Sequence, residues 1–265
     1  MYMSNEHKAY LKKIRKENIL VFLFRFLIIF FILILWEVLA RMEVINTFTF
    51  SSPSRVVTTL IGLVKSKVLF THIGVTLYEV FISFILATLI GLVFSIILWS
   101  LPLVAKIFDP YLTILNSLPK VALGPLIIIW VGASTNSIIF MSLLISTFIT
   151  IINIYNGFIN TDKSYITLMK AFRANKFDIF RKVIIPSNYI NMISTLKINI
   201  SMNLIGVIMG ELLVSKKGIG YLIMYGSQVF NIDLVITGVF ILGFISYFMY
   251  IIVDKLELII LNKQK

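Results

Sequence analysis

Few side chains in this chain could do covalent chemistry. There is no cysteine, which excludes disulfides, thiolate metal sites and a thiol nucleophile. The two histidines, His7 and His72, leave no metal-ligand cluster, and no nucleophile, base and paired carboxylate set recurs across the apolar segments. Nothing reads G-x-x-x-x-G-K-[ST], so no phosphate cradle, nucleotide or other cofactor is expected. The polar residues that remain suit handling a solute better than reacting with one. Asn188, Asn191, Thr195, Asn199, Asn203, Gly206 and Gly210 recur at three- and four-residue steps, which puts them on one helical face. Asn191, Thr195, Asn199 and Asn203 would present uncharged donors and acceptors to a translocation pathway, or let helices approach and bond to each other. Ser142, Ser146, Thr150, Asn153 and Gly157 repeat the pattern more weakly and favour packing. Lys197 is the one basic residue deep in an apolar run. It either attracts an anionic solute or braces a gate on the pathway, or its long stem carries the charge back to a headgroup layer.

A second pattern lies just before this face. Lys163, Lys170, Arg173, Lys176, Arg181 and Lys182 stand against Asp162 and Asp178 in a loop much longer than its neighbours. Tyr165, Met169 and Phe172 share one helical face and Phe177, Phe180 and Ile184 another, with Asn175 placed to cap the second helix. Two short basic helices of this kind offer apolar knobs to a cytosolic protein, or rest on anionic lipid.

The elements that position these residues follow from composition. With 59% hydrophobic residues, 14% charged residues and a mean hydropathy of +0.98, no soluble surface can be covered. The net charge of +12 is spread over the loops between apolar runs, which argues for membrane topology and against nucleic acid. The first apolar run, about 20–40, has no small-residue cleavage site after it and reads as a retained anchor. Ser51-Ser52-Pro53-Ser54 starts an interfacial helix, and further spans are expected near 80–105, 119–131, 137–158, 187–210 and 234–253. The turn between the third and fourth falls on Gly132 to Ser137. With both termini inside, about 17 of the 24 Lys and Arg residues face the cytoplasm. The expected organisation is a cytoplasmic segment 1–18, a first span and interfacial helix 19–69, a transmembrane domain 70–254 containing the loop 161–186, and a tail 255–265.

Several short motifs then resemble one family in order and spacing. These are Ser52-Pro53-Ser54, His72 followed by Thr76-Leu77, Leu118-Pro119-Lys120, Pro125-Leu126 with Ile129-Trp130 and Gly132, Gly210-Glu211, and Lys217 to Leu222. In the long loop, Ala174 and Ile185-Pro186 match the family's coupling motif, whereas Thr167-Leu168-Met169 replaces its E-A-A and Arg173 its glycine. The chain resembles the permease subunits of type I ABC importers, in the nitrate, sulfonate, taurine and thiamine-precursor branch. The resemblance implies an all-α polytopic bundle of six transmembrane helices with cytoplasmic coupling helices, working as a pair in the plasma membrane. It implies a cytosolic ABC ATPase that grips Met169, Lys170, Phe172, Arg173, Ala174, Phe177 and Pro186 and performs all ATP hydrolysis. An extracytoplasmic binding protein would deliver the small solute, and a second permease copy or a similar subunit would complete the pathway. A proton- or sodium-coupled secondary transporter fits poorly, because the spans lack mid-membrane acids and the halves show no repeat. A non-transporting scaffold is the other alternative, and the cytoplasmic loop discriminates it.

Overall fold

The computed structural model describes residues 5–262, so residues 1–4 of the N-terminal segment and 263–265 of the tail lie outside the described residues. Helices account for nearly all of it: α1 (Asn5–Arg41), α2 (Thr47–Phe50), α3 (Pro53–Lys65), α4 (Val68–Ser100), α5 (Pro102–Ser117), α6 (Gly124–Val131), α7 (Thr135–Ile159), α8 (Lys163–Ala171), α9 (Lys176–Ile179), α10 (Ile185–Ser187), α11 (Tyr189–Val214), α12 (Ile219–Gln228) and α13 (Ile232–Asn262). Five are long and apolar enough to cross a bilayer, and α5 with the segment Lys120–Val131 reaches that length and hydropathy only as a pair, bent by 84°. The bend falls at Pro119, which cannot continue a helix from Leu118.

Local chemistry sets the helix starts. Ser52 caps α3 by accepting from Arg55 N–H at 3.4 Å, with Pro53 in the first turn. Ser134 and Ser137 form a reciprocal capping box at the start of α7. Asn175 caps α9 through Asp178 N–H at 2.8 Å, as its position predicts.

One boundary moves well away from expectation. The second span is expected from Val80, yet α4 begins at Val68 and stops at Ser100, ahead of Pro102. His72, Thr76 and Glu79 make the segment look like a loop, but all three are buried on the inner side of α4. Polar residues that face protein do not end a helix.

The core is α7 packed between α4 and α11. Glycine makes the closest approach possible: a Cβ on Gly206 would lie 2.5 Å from Ser142 Cα, and one on Gly210 would lie 2.9 Å from Ile138 Cα. α3 is tied to α13 by Ser51 Oγ donating to Asp233 at 2.6 Å and by the Arg55–Asp233 ion pair at 2.8 Å.

Candidate functional site

The long loop folds into α8, a left-handed turn, α9, a wide π-type turn over Phe180–Ile184 and α10. Asp162 caps α8 by accepting from Ser164 N–H at 2.8 Å, and that bond holds its carboxyl below the usual aspartate range. At the other end of α8, Arg173 N–H donates to Lys170 O at 2.9 Å and Ala174 N–H to Met169 O at 3.0 Å. These two bonds are a Schellman closure, which needs a left-handed residue after the cap. Arg173 supplies it with φ of 57°, so the turn survives without glycine at a conformational cost.

The turn sorts the apolar residues into two groups. Phe172 is 76% exposed and Phe177 68% exposed, so both aromatic rings stand out from the bundle. Met169, Ala174 and Phe180 instead turn inward against a cluster of Ile154, Phe158, Ile179 and Ile184. Phe180 lies 5.0 Å from the Trp99 ring and 5.6 Å edge-on from Phe158. Met169 therefore anchors the loop to the bundle, and the helical face expected to present Met169 beside Phe172 is divided. Lys170 and Arg173 are exposed around Phe172, and Pro186 is exposed in α10.

The polar face of α11 turns into the protomer. Asn203 accepts from Ser142 Oγ at 2.8 Å and Ser146 Oγ at 3.1 Å, and donates to Asn199 Oδ1 at 2.5 Å. Asn199 in turn donates to Thr88 Oγ1 of α4 at 2.8 Å. Thr195 is buried and donates to Asn191 O of its own helix at 2.8 Å. Asn199 and Asn203 thus join α11 to α4 and α7, the packing role of the two open to this face, while Thr195 bonds back to its own helix. All three side chains are satisfied within the bundle, as groups withdrawn from water require.

Asn191 differs. It donates to Asn153 O at 3.1 Å and borders an open cleft of about 430 Å³ between α7 and α11. Asn156, Asn160, Ser187 and Asn188 also line the cleft, with Asp162 and Tyr165 at its rim next to α8. Asn153 and Asn191 were legible as polar positions in apolar helices, but Asn156 and Asn160 carried no periodic signal that separated them from a loop. Lys197 is not on this surface. Its Nζ pairs with Asp254 at 2.6 Å and also with Glu257, and it lies over the Tyr250 ring, which braces α11 against α13. Sequence reasoning missed both partners because they fall beyond the last apolar span.

At the opposite end of the bundle, Glu211 accepts from Gly220 N–H at 2.6 Å, which ties α11 to the start of α12. Glu79 of α4 is fully buried at the same end.

The bundle thus carries a capped, aromatic-bearing helix pair at one end of helices long and apolar enough to cross a membrane. Residues 87–260 match the model of the binding-protein-dependent transport system inner membrane component, and the chain belongs to that family, as the permease subunit of a type I ABC importer. It is similar to a formylaminopyrimidine transport permease protein of Halalkalibacterium halodurans, 28% identical over 88% of this chain and 93% of the relative. A putative aliphatic sulfonates transport permease protein of Bacillus subtilis is 26% identical over 81% of this chain and 78% of its own. A probable ABC transporter permease protein of Haemophilus influenzae is 31% identical over 58% of this chain, which spans 62% of that relative's length. The inward-facing MetNI methionine ABC transporter shares the fold, with a TM-score of 0.64 at 18% identity over 73% of this chain and 96% of the solved one. A subunit of this family works generally with an ATPase and a binding protein, and this chain is a multi-pass membrane protein.

Proposed function

We propose that two copies of this permease form one importer, with both termini in the cytoplasm and a separate ATPase subunit gripping Phe172 and Phe177. The observation that carries this reading is the pair of exposed aromatic rings on either side of the Arg173 turn. Exposed rings on a rigid helical base match the anchor residues of protein interfaces. Met169, Ala174 and Phe180 fix that base to α4 and α7, so displacement of the rings moves the spans. Lys170 and Arg173 flank the rings as a basic rim, and Pro186 ends the segment beside the wide turn.

The pathway surface in this reading is the α7–α11 cleft with Asn191, while Asn199, Asn203 and Thr195 set the helix spacing and Lys197 holds α13. The amide lining suits a small polar solute of the nitrate, sulfonate, taurine or thiamine-precursor type, handed over by an extracytoplasmic binding protein. The sulfonate and formylaminopyrimidine permeases among its relatives support this range.

The natural absence of cysteine allows a direct test. A Phe172→Cys variant is co-expressed with the partner ATPase carrying one cysteine in its groove, and cross-linking is measured in native membranes with and without ATP. A nucleotide-dependent cross-link is expected. Failure at Phe172 and at Phe177, with both subunits present and folded, would sink the docking assignment.

A further inference from the structure

The end of the bundle holding loop 215–218 contains two buried carboxyl groups. Glu79 of α4 is 0% exposed and Glu211 of α11 is 1% exposed. Glu211 is well supplied: Thr76 Oγ1 donates to its Oε1 at 2.6 Å and Gly220 N–H to its Oε2 at 2.6 Å. Gly220 lies in the first turn of α12, so the helix end also favours negative charge on Glu211. Glu79 is not supplied. Both of its oxygens are buried and neither has a hydrogen-bond partner of ordinary geometry. Its polar neighbours are the Glu211 carboxyl and the Thr135 hydroxyl of α7. Thr76 and Glu79, three residues apart, share one face of α4, which brings the second carboxyl to the group that Thr76 already touches.

Two carboxylates side by side and out of water cannot both be charged without a compensating cation. The charged groups around them offer none at contact distance: Lys216 and Lys217 are exposed in the loop, and Lys217 acts on His72, the ring of which stacks on Tyr221 at 5.8 Å. His72 itself is an acceptor here, taking Gly218 N–H on Nδ1 at 2.9 Å.

We propose that Glu79 and Glu211 bind a single proton between them, Glu79 donating it to Glu211, and that this proton latches loop 215–218 and α12 onto α4. The latch consists of Glu211 on Gly220, Thr76 on Ile219 N–H at 2.9 Å and His72 on Gly218. Gly218, with φ of 105°, packs directly on the Glu211 carboxyl where no side chain would fit. Loss of the proton sets like charges against each other at the junction of α4 and α11, and the loop is released. No titratable group elsewhere in the described spans is left without a partner in this way.

The test uses the purified transporter complex in lipid nanodiscs. The infrared carbonyl band of a protonated carboxylic acid is followed with pH in the wild type, Glu79→Gln and Glu211→Gln, because Glu79→Gln keeps the donated bond without the charge. Thiol labelling of a Lys216→Cys variant is followed in parallel, with and without Glu79→Gln, so that the ratio of rates removes the thiol's own titration. A protonated band at neutral pH that Glu79→Gln abolishes is expected. The labelling ratio should rise about tenfold per pH unit once the shared proton begins to leave, until the loop is free. A flat ratio across the alkaline range, or a band untouched by Glu79→Gln, overturns the proposal. Should Glu79→Gln fail to accumulate, the wild type and Glu211→Gln decide alone: absence of the band at neutral pH in the wild type overturns it. None of these readouts depends on which solute is carried or on how the ATPase docks.

Discussion

Truncating Phe172 should separate docking from folding. The ring is 76% exposed in the isolated subunit, so Phe172→Ala removes little packing and should change thermal stability by less than about 0.5 kcal/mol. Full burial of a phenylalanine is worth about 1.5–3 kcal/mol, and three quarters of that area is still available to a partner, so docking should lose about 1–2 kcal/mol. That corresponds to an ATPase affinity weaker by about 5- to 30-fold. Phe180→Ala is the contrasting variant, because this ring contacts Trp99 and Phe158 inside the bundle and its loss should cost about 3 kcal/mol of stability. The assay is titration of the purified ATPase onto the permease in nanodiscs, beside thermal unfolding of each variant alone. Equal affinity for wild type and Phe172→Ala, or a melting loss for Phe172→Ala as large as for Phe180→Ala, would refute the division of the loop into presented and anchoring residues.

Arg173→Gly should stabilise the α8 turn by about 1 kcal/mol, since glycine adopts the observed φ without strain, and hydrogen exchange at Ala174 N–H would report it. Because a hydrogen bond to the charged form lowers the Asp162 pKa, its cap is fully present above the ordinary aspartate range and is lost as pH falls through the lower folded value. Asp162→Asn should therefore keep α8 capped and abolish that acid-side fraying, measured by exchange at Ser164 N–H. Gly206→Val should push α11 off Ser142 and cost about 1–3 kcal/mol or more in thermal unfolding, whereas the same change at Gly243, with open space around it, should leave packing intact. Lys197→Met should lower the melting temperature by leaving Asp254 and Glu257 together without their cation, and adding Glu257→Gln should recover part of the loss.

The apolar runs determined the bundle by themselves, because a bilayer accepts few ways of satisfying a backbone and helices are the simplest. Pro53, Asn175 and the Gly132–Ser137 turn were equally legible, since caps and turns depend on neighbours a few residues away. The order of short motifs, read with Ala174 and Pro186, carried the family. What the sequence left open were facts about direction. A helical face of asparagines is the same pattern whether it lines a pathway or binds a neighbouring helix, and only the position of α4 and α7 assigned Asn199 and Asn203 to the latter. Met169 and Phe172 share a face on an ideal helix, yet the left-handed turn at Arg173 and the cluster around Phe158 drew one inward and left the other exposed. Glu79 and Glu211 are separated by about half of the chain, and no local pattern signals that they meet. Helical periodicity fixes which residues share a side of one helix, whereas packing between distant helices decides what that side touches.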